Sequence, residues 1–225
     1  MGLFRWLFQP KPFRRVDDSF AFNLETQLDS LGEIVEAQRN AGKAIWLIVH
    51  FTDQFEVVQT QLETLGLDFE IVTTEIDPDN ISSTFKSPGN VFLVLAQLIP
   101  DSVASLLEVD LSSTIAMVML ERHPNPTHDH RIEQFARNVP VKTEFGYVLS
   151  FDHPVIQEVV NEQTMTVMKQ LGLKESELIS STIVSRRIAA YVAKQAEHFH
   201  ADIEASSAQQ WIELNRPAPE ATETD

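Results

Sequence analysis

The chain has 225 residues, with 33 acidic against 17 basic side chains, a formal net charge of −16 and no cysteine. Disulfides, thiolate metal sites and cysteine catalysis are therefore excluded, and nucleic acid is disfavoured as a main partner because its binders carry a basic face. A hydrophobic fraction of 43% supports one large or two small cored domains. No run approaches 18 apolar residues, and the N-terminus has no small-residue cleavage site, so neither a transmembrane helix nor a signal peptide is expected.

Residues 1–16 form a basic-aromatic arm in which Phe4, Trp6 and Phe8 are mixed with Arg5, Lys11, Arg14 and Arg15. Such an arm can lie on an anionic membrane surface or dock its aromatics on the protein's own core. From Asn23 to Arg39, Leu24, Leu28, Leu31, Ile34 and Val35 recur at helical spacing, and Gly42 is placed to cap the end. Ala44–Val49 is a continuous apolar run of the kind buried in parallel sheets. A second helix runs from about Thr52 to Leu65, with Gly66 closing it. Short strands are expected at Asp68–Thr73, Asn90–Ala96, Thr114–Leu120 and Tyr147–Phe151.

Strands alternating with helices imply an α/β layer with a mainly parallel sheet from roughly Ala44 to Asp152, within a domain of residues 17–152. The pattern then turns helical over residues 153–214. Asp152 is placed to cap a helix reaching Leu171, and a longer helix is expected from about Ser181 to Leu214, capped by Ser180, Ser181 or Thr182. A helix of about 30 residues would reach roughly 45 Å. On it, Arg186, Arg187, Tyr191 and Lys194 are candidates for orienting a partner helix; ordinary solvated charge is the alternative. Residues 215–225 read as a disordered acidic tail.

Some groups invite specific chemistry. His123, His128, Asp129 and His130 carry donors that suit zinc or nickel, but Pro124 and Pro126 make this stretch read as a rigid solvated loop, and no metal is expected there. His198 and His200 fall on different faces of the expected long helix. No Gly-x-Ser-x-Gly elbow supports a serine hydrolase. Glu121 and Arg122 read as an ion pair or backbone clamp at a strand end.

The order of pieces from Thr114 to Asp152 is distinctive: an apolar strand, Glu121-Arg122-His123, Arg131-Ile132-Glu133-Gln134, then Val148-Leu149-Ser150-Phe151-Asp152. With Asp17-Asp18-Ser19-Phe20 before it and Val167-Met168-Lys169-Gln170-Leu171-Gly172 after it, this order resembles the second nucleotide-binding, RecA-like domain of the SecA preprotein translocase motor and the start of its helical scaffold. The resemblance implies a RecA-like or helicase C-terminal-type three-layer domain followed by a long-helix extension. It also implies a loss. The family's Gly- and Arg-rich loop is replaced by residues 135–146, and no phosphate loop or acidic magnesium motif is present. Asp101, Arg137 and Lys142 stand as vestigial nucleotide-site candidates.

The expectation is thus a catalytically inactive binding or regulatory module without a cofactor. Its partners would be the SecA motor, the translocation channel or a second copy. Its location would be cytoplasmic, with the arm as a membrane contact. Alternatives are a half-site that completes a partner's ATPase through Arg137 or Lys142, and a peripheral membrane adaptor.

Overall fold

The computed structural model describes residues 13–76, 88–101, 114–139, 141–157, 159–160, 165 and 174–216. Eight strands form one sheet: β1 (Phe13–Arg15), β2 (Ser19–Ala21), β3 (Ala44–Val49), β4 (Glu70–Val72), β5 (Val91–Leu95), β6 (Thr114–Met119), β7 (Lys142–Ser150) and β8 (Ile179–Ser180). Their order is β4-β5-β3-β6-β7-β2-β8, with β1 also paired to β7. Every pairing is parallel except β2 with β8.

The helices are α1 (Leu24–Asp29), α2 (Leu31–Asn40), α3 (Thr52–Thr64), α4 (Pro126–Asn138), α5 (Pro154–Gln157), α6 (Thr182–Ala196) and α7 (Ala208–Asn215). They cover both faces of the sheet. Alternation along β3 sends Ile45, Leu47 and Val49 to a core with Leu31, Val35, Val58 and Leu62 of α2 and α3. Trp46 and Ile48 go to the opposite core, which holds Ile132 and Phe135 of α4, Ile188 and Val192 of α6, and Trp211 of α7. This is a three-layer α/β domain with a mainly parallel sheet. Among the described residues, no helix is long and apolar enough to cross a membrane.

β1 and β2 lie along the same edge of β7, separated by a bulge. Phe13 pairs with Thr143 and Arg15 with Phe145, whereas Ser19 pairs with Val148. Residues 16–18 therefore oppose only Gly146 and Tyr147. Gly146 makes this fit possible: a Cβ there would fall inside van der Waals contact with Val16 Cγ2.

Several expectations change in detail. The helix expected over Asn23–Arg39 is split at Ser30, whose hydroxyl donates to Gln27 C=O at 2.6 Å. Gln27 is buried, and its amide donates to Leu120 C=O and Val148 C=O, each at 2.6 Å, which pins α1 across the ends of β6 and β7. Asp152 accepts from Leu24 N at 2.9 Å, so it caps α1 and not a following helix. The stretch read as a loop around Pro126 is α4; Asn125 caps it by accepting from Thr127 N at 3.0 Å, and Pro126 takes the first turn.

The long helix expected over residues 181–214 is two helices. Ser181, one of the three capping candidates, caps α6, but α6 ends at Ala196 and the chain turns back to α7. His198 and His200 lie in the turn. Phe13–Arg15 belongs to the sheet and not to a free arm, and Asn215 is buried in α7 and not part of a tail. Phe4, Arg5, Trp6, Phe8, most of the helix expected up to Leu171 beyond Gln157, and the tail from residue 217 lie outside the described residues.

Candidate functional site

β3 leads through α3 to β4 and β5 on one side of the sheet; β6 leads through α4 to β7 on the other. β3 and β6 are neighbours, and their following helices lie on opposite faces. Their carboxyl ends thus form the crevice at which the chain diverges, the position where open α/β sheets bind ligands. A cleft of about 690 Å³ opens there, lined by His50, Phe51, His123, His128, Arg131 and Trp211 among others.

Glu121, the second residue past β6, is 2% exposed. Its Oε1 accepts from His50 N at 2.5 Å and from Phe51 N at 2.8 Å. Phe51 precedes α3 and offers no side-chain cap of its own; Glu121, from the end of the neighbouring strand, takes the N–H of this cap residue and of His50 before it. Asp53 N donates to Ser206 C=O at 3.1 Å, and Gln54 N donates to Asp53 Oδ1 at 2.6 Å. Burial, with Glu121 beside it, raises the pKa of the Asp53 carboxyl.

A buried ionic network stands next to this clamp. Asp129, in the first turn of α4, accepts from His50 Nε2 at 2.8 Å, His123 N at 3.1 Å and Arg122 Nη1 at 3.1 Å. Burial works to raise its pKa, but the hydrogen bond from His50 and the Arg122 charge overcome it and hold the carboxyl below its ordinary value. The Arg122 guanidinium lies 3.9 Å from the centre of the Tyr147 ring and 3.7 Å from Asp18 Oδ2. Burial opposes its charge; Tyr147, Asp129 and Asp18 outweigh that and raise its pKa. Burial in turn pushes the Tyr147 hydroxyl well above its usual value.

His123 sits at the cleft wall, 5% exposed. Burial, then the neighbouring His50 and His128, push its pKa down to about 2, so the ring is neutral. Its Nδ1 meets the Asn125 backbone, 3.0 Å from N and 3.2 Å from O. The ring stacks on Phe51 and meets Trp211 edge-on. His128 Nε2 lies 2.7 Å from Asp202 Oδ2, and Trp211 Nε1 donates to Asp202 Oδ1 at 3.1 Å. The segment after α6 therefore folds over the cleft and supplies part of its wall.

The four residues grouped by the sequence around position 123 separate. His123 and His128 face the cleft, Asp129 turns inward to Arg122, and His130 pairs with Gln134 along α4 at 3.2 Å. Asp202, His50 and Trp211 join the site without having been singled out. For His50 the sequence signal was its position at a strand end and for Trp211 an apolar helix face; Asp202 carried none.

The vestigial nucleotide candidates do not converge. Asp101 is exposed and pairs with Arg131 at 3.2 Å. Arg137, in the last turn of α4, bonds Glu133 and covers the Phe13 ring. Lys142 opens β7, at the end of the sheet opposite the cleft. Arg186, Arg187 and Lys194 are exposed on α6, and Tyr191 is half-buried.

No protein-family model and no curated protein matches the chain. Among solved structures it is similar to the C-terminal domain of a possible DNA helicase of Lactobacillus plantarum WCFS1. That likeness has TM-score 0.37 and 15% identity, and covers 64% of this chain and 80% of that one. It is also similar to the C-terminal part of the Fun30 ATPase domain, with TM-score 0.43 and 12% identity, over 76% of this chain and 54% of that one. Neither likeness carries an activity across.

Proposed function

We propose that this chain is a non-hydrolysing binding or regulatory module derived from a RecA-like motor domain. On its sequence motifs, the chain resembles the second nucleotide-binding domain of SecA with the start of its scaffold. The observation that carries the reading is the fate of the backbone donors at the α3 start. In a nucleotide site, N–H groups at such a helix start receive phosphate. Here His50 N and Phe51 N are taken by a buried carboxylate, and Asp53 N by the chain's own Ser206 carbonyl. A phosphate would have to displace both and settle beside the Glu121 charge.

The outer face of α6 favours a protein partner. Ile183, Arg186, Arg187, Ala190 and Lys194 share one stripe at helical spacing, and all are exposed, Ile183 at 71%. A basic stripe with an apolar end, on a chain of net charge −16, fits an acidic surface of a motor, channel or second copy. The test is calorimetry of the full chain with ATP and ADP in the presence of magnesium. The expected result is no heat at millimolar nucleotide. Micromolar binding, or hydrolysis by the pure protein, would overturn the proposal.

A further inference from the structure

His123, His128 and Asp202 each present a metal-ligating atom, and these atoms all lie within 4.8 Å of one another. We propose that they form a binding site for a divalent transition-metal ion, zinc in the first place, which fastens the segment after α6 to the crevice. The inference is independent of the proposed function.

The donor set comes first. Two imidazoles and one carboxylate make up a common zinc complement, and three protein ligands leave one position for water. Metal–ligand bonds of ~2.1 Å would set donor atoms roughly 3.4 Å apart around a tetrahedral ion. Closing the present spread asks for movement of the half-exposed His128 and Asp202 side chains. The His128 Nε2 to Asp202 Oδ2 separation of 2.7 Å already brings two of the donors together.

The surroundings are those of a supported site. Metal-bound histidines commonly give their other ring nitrogen to a backbone carbonyl, and metal-bound carboxylates are hydrogen-bonded in turn. His123 Nδ1 lies 3.2 Å from Asn125 C=O and 3.0 Å from Asn125 N; in the tautomer that donates to the carbonyl, Nε2 is left for the ion. Trp211 Nε1 holds Asp202 Oδ1, and Asn125 Nδ2 is 3.2 Å from Asp202 Oδ2. His123 is buried and its ring orientation is fixed by Phe51 and Trp211. The remaining coordination position faces the cleft of about 690 Å³, which gives the ion an entry path.

The placement of the ligands gives the site its consequence. His123 and His128 belong to the β6–α4 connection, whereas Asp202 lies 74 residues beyond His128, in the segment that folds back. An ion here would bridge the two and close the segment over the ends of β3 and β6.

The test uses the full chain after EDTA treatment, titrated with zinc alone in a calorimeter. We expect one equivalent to bind at micromolar concentration or tighter. Asp202→Asn and His128→Gln should each weaken binding by more than about tenfold, since loss of even an outer partner costs that much. His130→Gln, outside the site, should leave binding unchanged. Both ligand substitutions fall on half-exposed side chains, so the fold should survive, as circular dichroism would check. Zinc should also slow proteolysis within residues 197–207 in the native chain and not in Asp202→Asn. Absence of zinc binding below millimolar concentration would overturn the site. So would binding that either ligand variant weakens by less than tenfold, or that His130→Gln weakens equally.

Discussion

Replacing Glu121 tests the reading of the crevice most directly. In Glu121→Ala, the N–H groups of His50 and Phe51 lose their acceptor, the first in a partly buried and the second in a buried place. Each buried donor left unpaired costs ~1–3 kcal/mol. Relief from holding a buried carboxylate offsets part of this, so the net loss should be about 2–5 kcal/mol. Glu121→Gln retains one carbonyl oxygen but loses charge assistance, which is worth about 1 kcal/mol per bond; its loss should be about 1–2 kcal/mol. Urea melts followed by tryptophan fluorescence would measure both, with an unchanged m-value marking a change in stability alone. A loss under ~0.5 kcal/mol in Glu121→Ala, the size of an ordinary surface change, would refute the clamp. Equal losses in the two variants would refute the role assigned to the acceptor oxygen.

Gly146→Ala should destabilise the protein by about 1–3 kcal/mol through the clash with Val16. Adding Val16→Ala should recover part of that loss, and simple additivity of the pair would count against the bulge as its cause. His123 has a folded pKa of about 2, below the 6.5 of the free side chain, so the unfolded chain binds an extra proton between these values. Its contribution is present above pH 6.5 and is lost on acidification at about 1.4 kcal/mol per pH unit. With EDTA present, His123→Gln should flatten the stability profile between about pH 6.5 and 4.5 by that slope, and an unaltered slope would contradict the neutral buried ring. Trp211→Ala removes a side chain that is 1% exposed, at a cost of about 3–5 kcal/mol. Limited proteolysis should then cut within residues 197–207 before the sheet; simultaneous cutting would show that the segment is not separable from the body.

The parallel sheet was legible because β3, β5 and β6 are apolar on both faces, and a continuous run such as Ala44–Val49 has few other structures open to it. The helix ends at Gly42 and Gly66 were legible for a related reason: both residues take positive φ, where glycine is favoured. By contrast, α4 was hidden by Pro126 in its first turn and Pro124 just before its cap. Pro126 in a first turn after an Asn cap starts a helix, and Asp129, Ile132 and Ala136 on one buried side are the spacing that could have revealed it. β1 and β2 were illegible because three-residue strands carry almost no period, and their pairing with β7 spans more than a hundred residues. The cleft was only half legible for the same reason. Adjacent residues of a helix point about 100° apart, so Asp129 and His130 could not stay with His128, and the partner that replaced them comes from the distant Asp202.

On the proposed reading, the α3 start is denied to phosphate at two levels that differ in kind. Ser206 belongs to a segment that could in principle undock, and any ligand competing with it would lose affinity by the docked fraction. Glu121 is anchored to the end of the sheet: it lies two residues past β6 and its carboxylate is fixed on the helix start. Undocking the segment would free Asp53 N but leave a buried negative charge where phosphate would arrive, and like charges a few ångströms apart in a poorly solvated site repel strongly. On the proposed reading, release of the segment therefore exposes a surface without restoring a nucleotide site. Trp211→Ala separates the two barriers: if its segment is cut early and the variant still gives no heat with ATP, the Glu121 barrier is sufficient by itself. If ATP binds once the segment is loosened, occlusion by Ser206 was the whole barrier, and the chain would be a nucleotide-binding domain held shut.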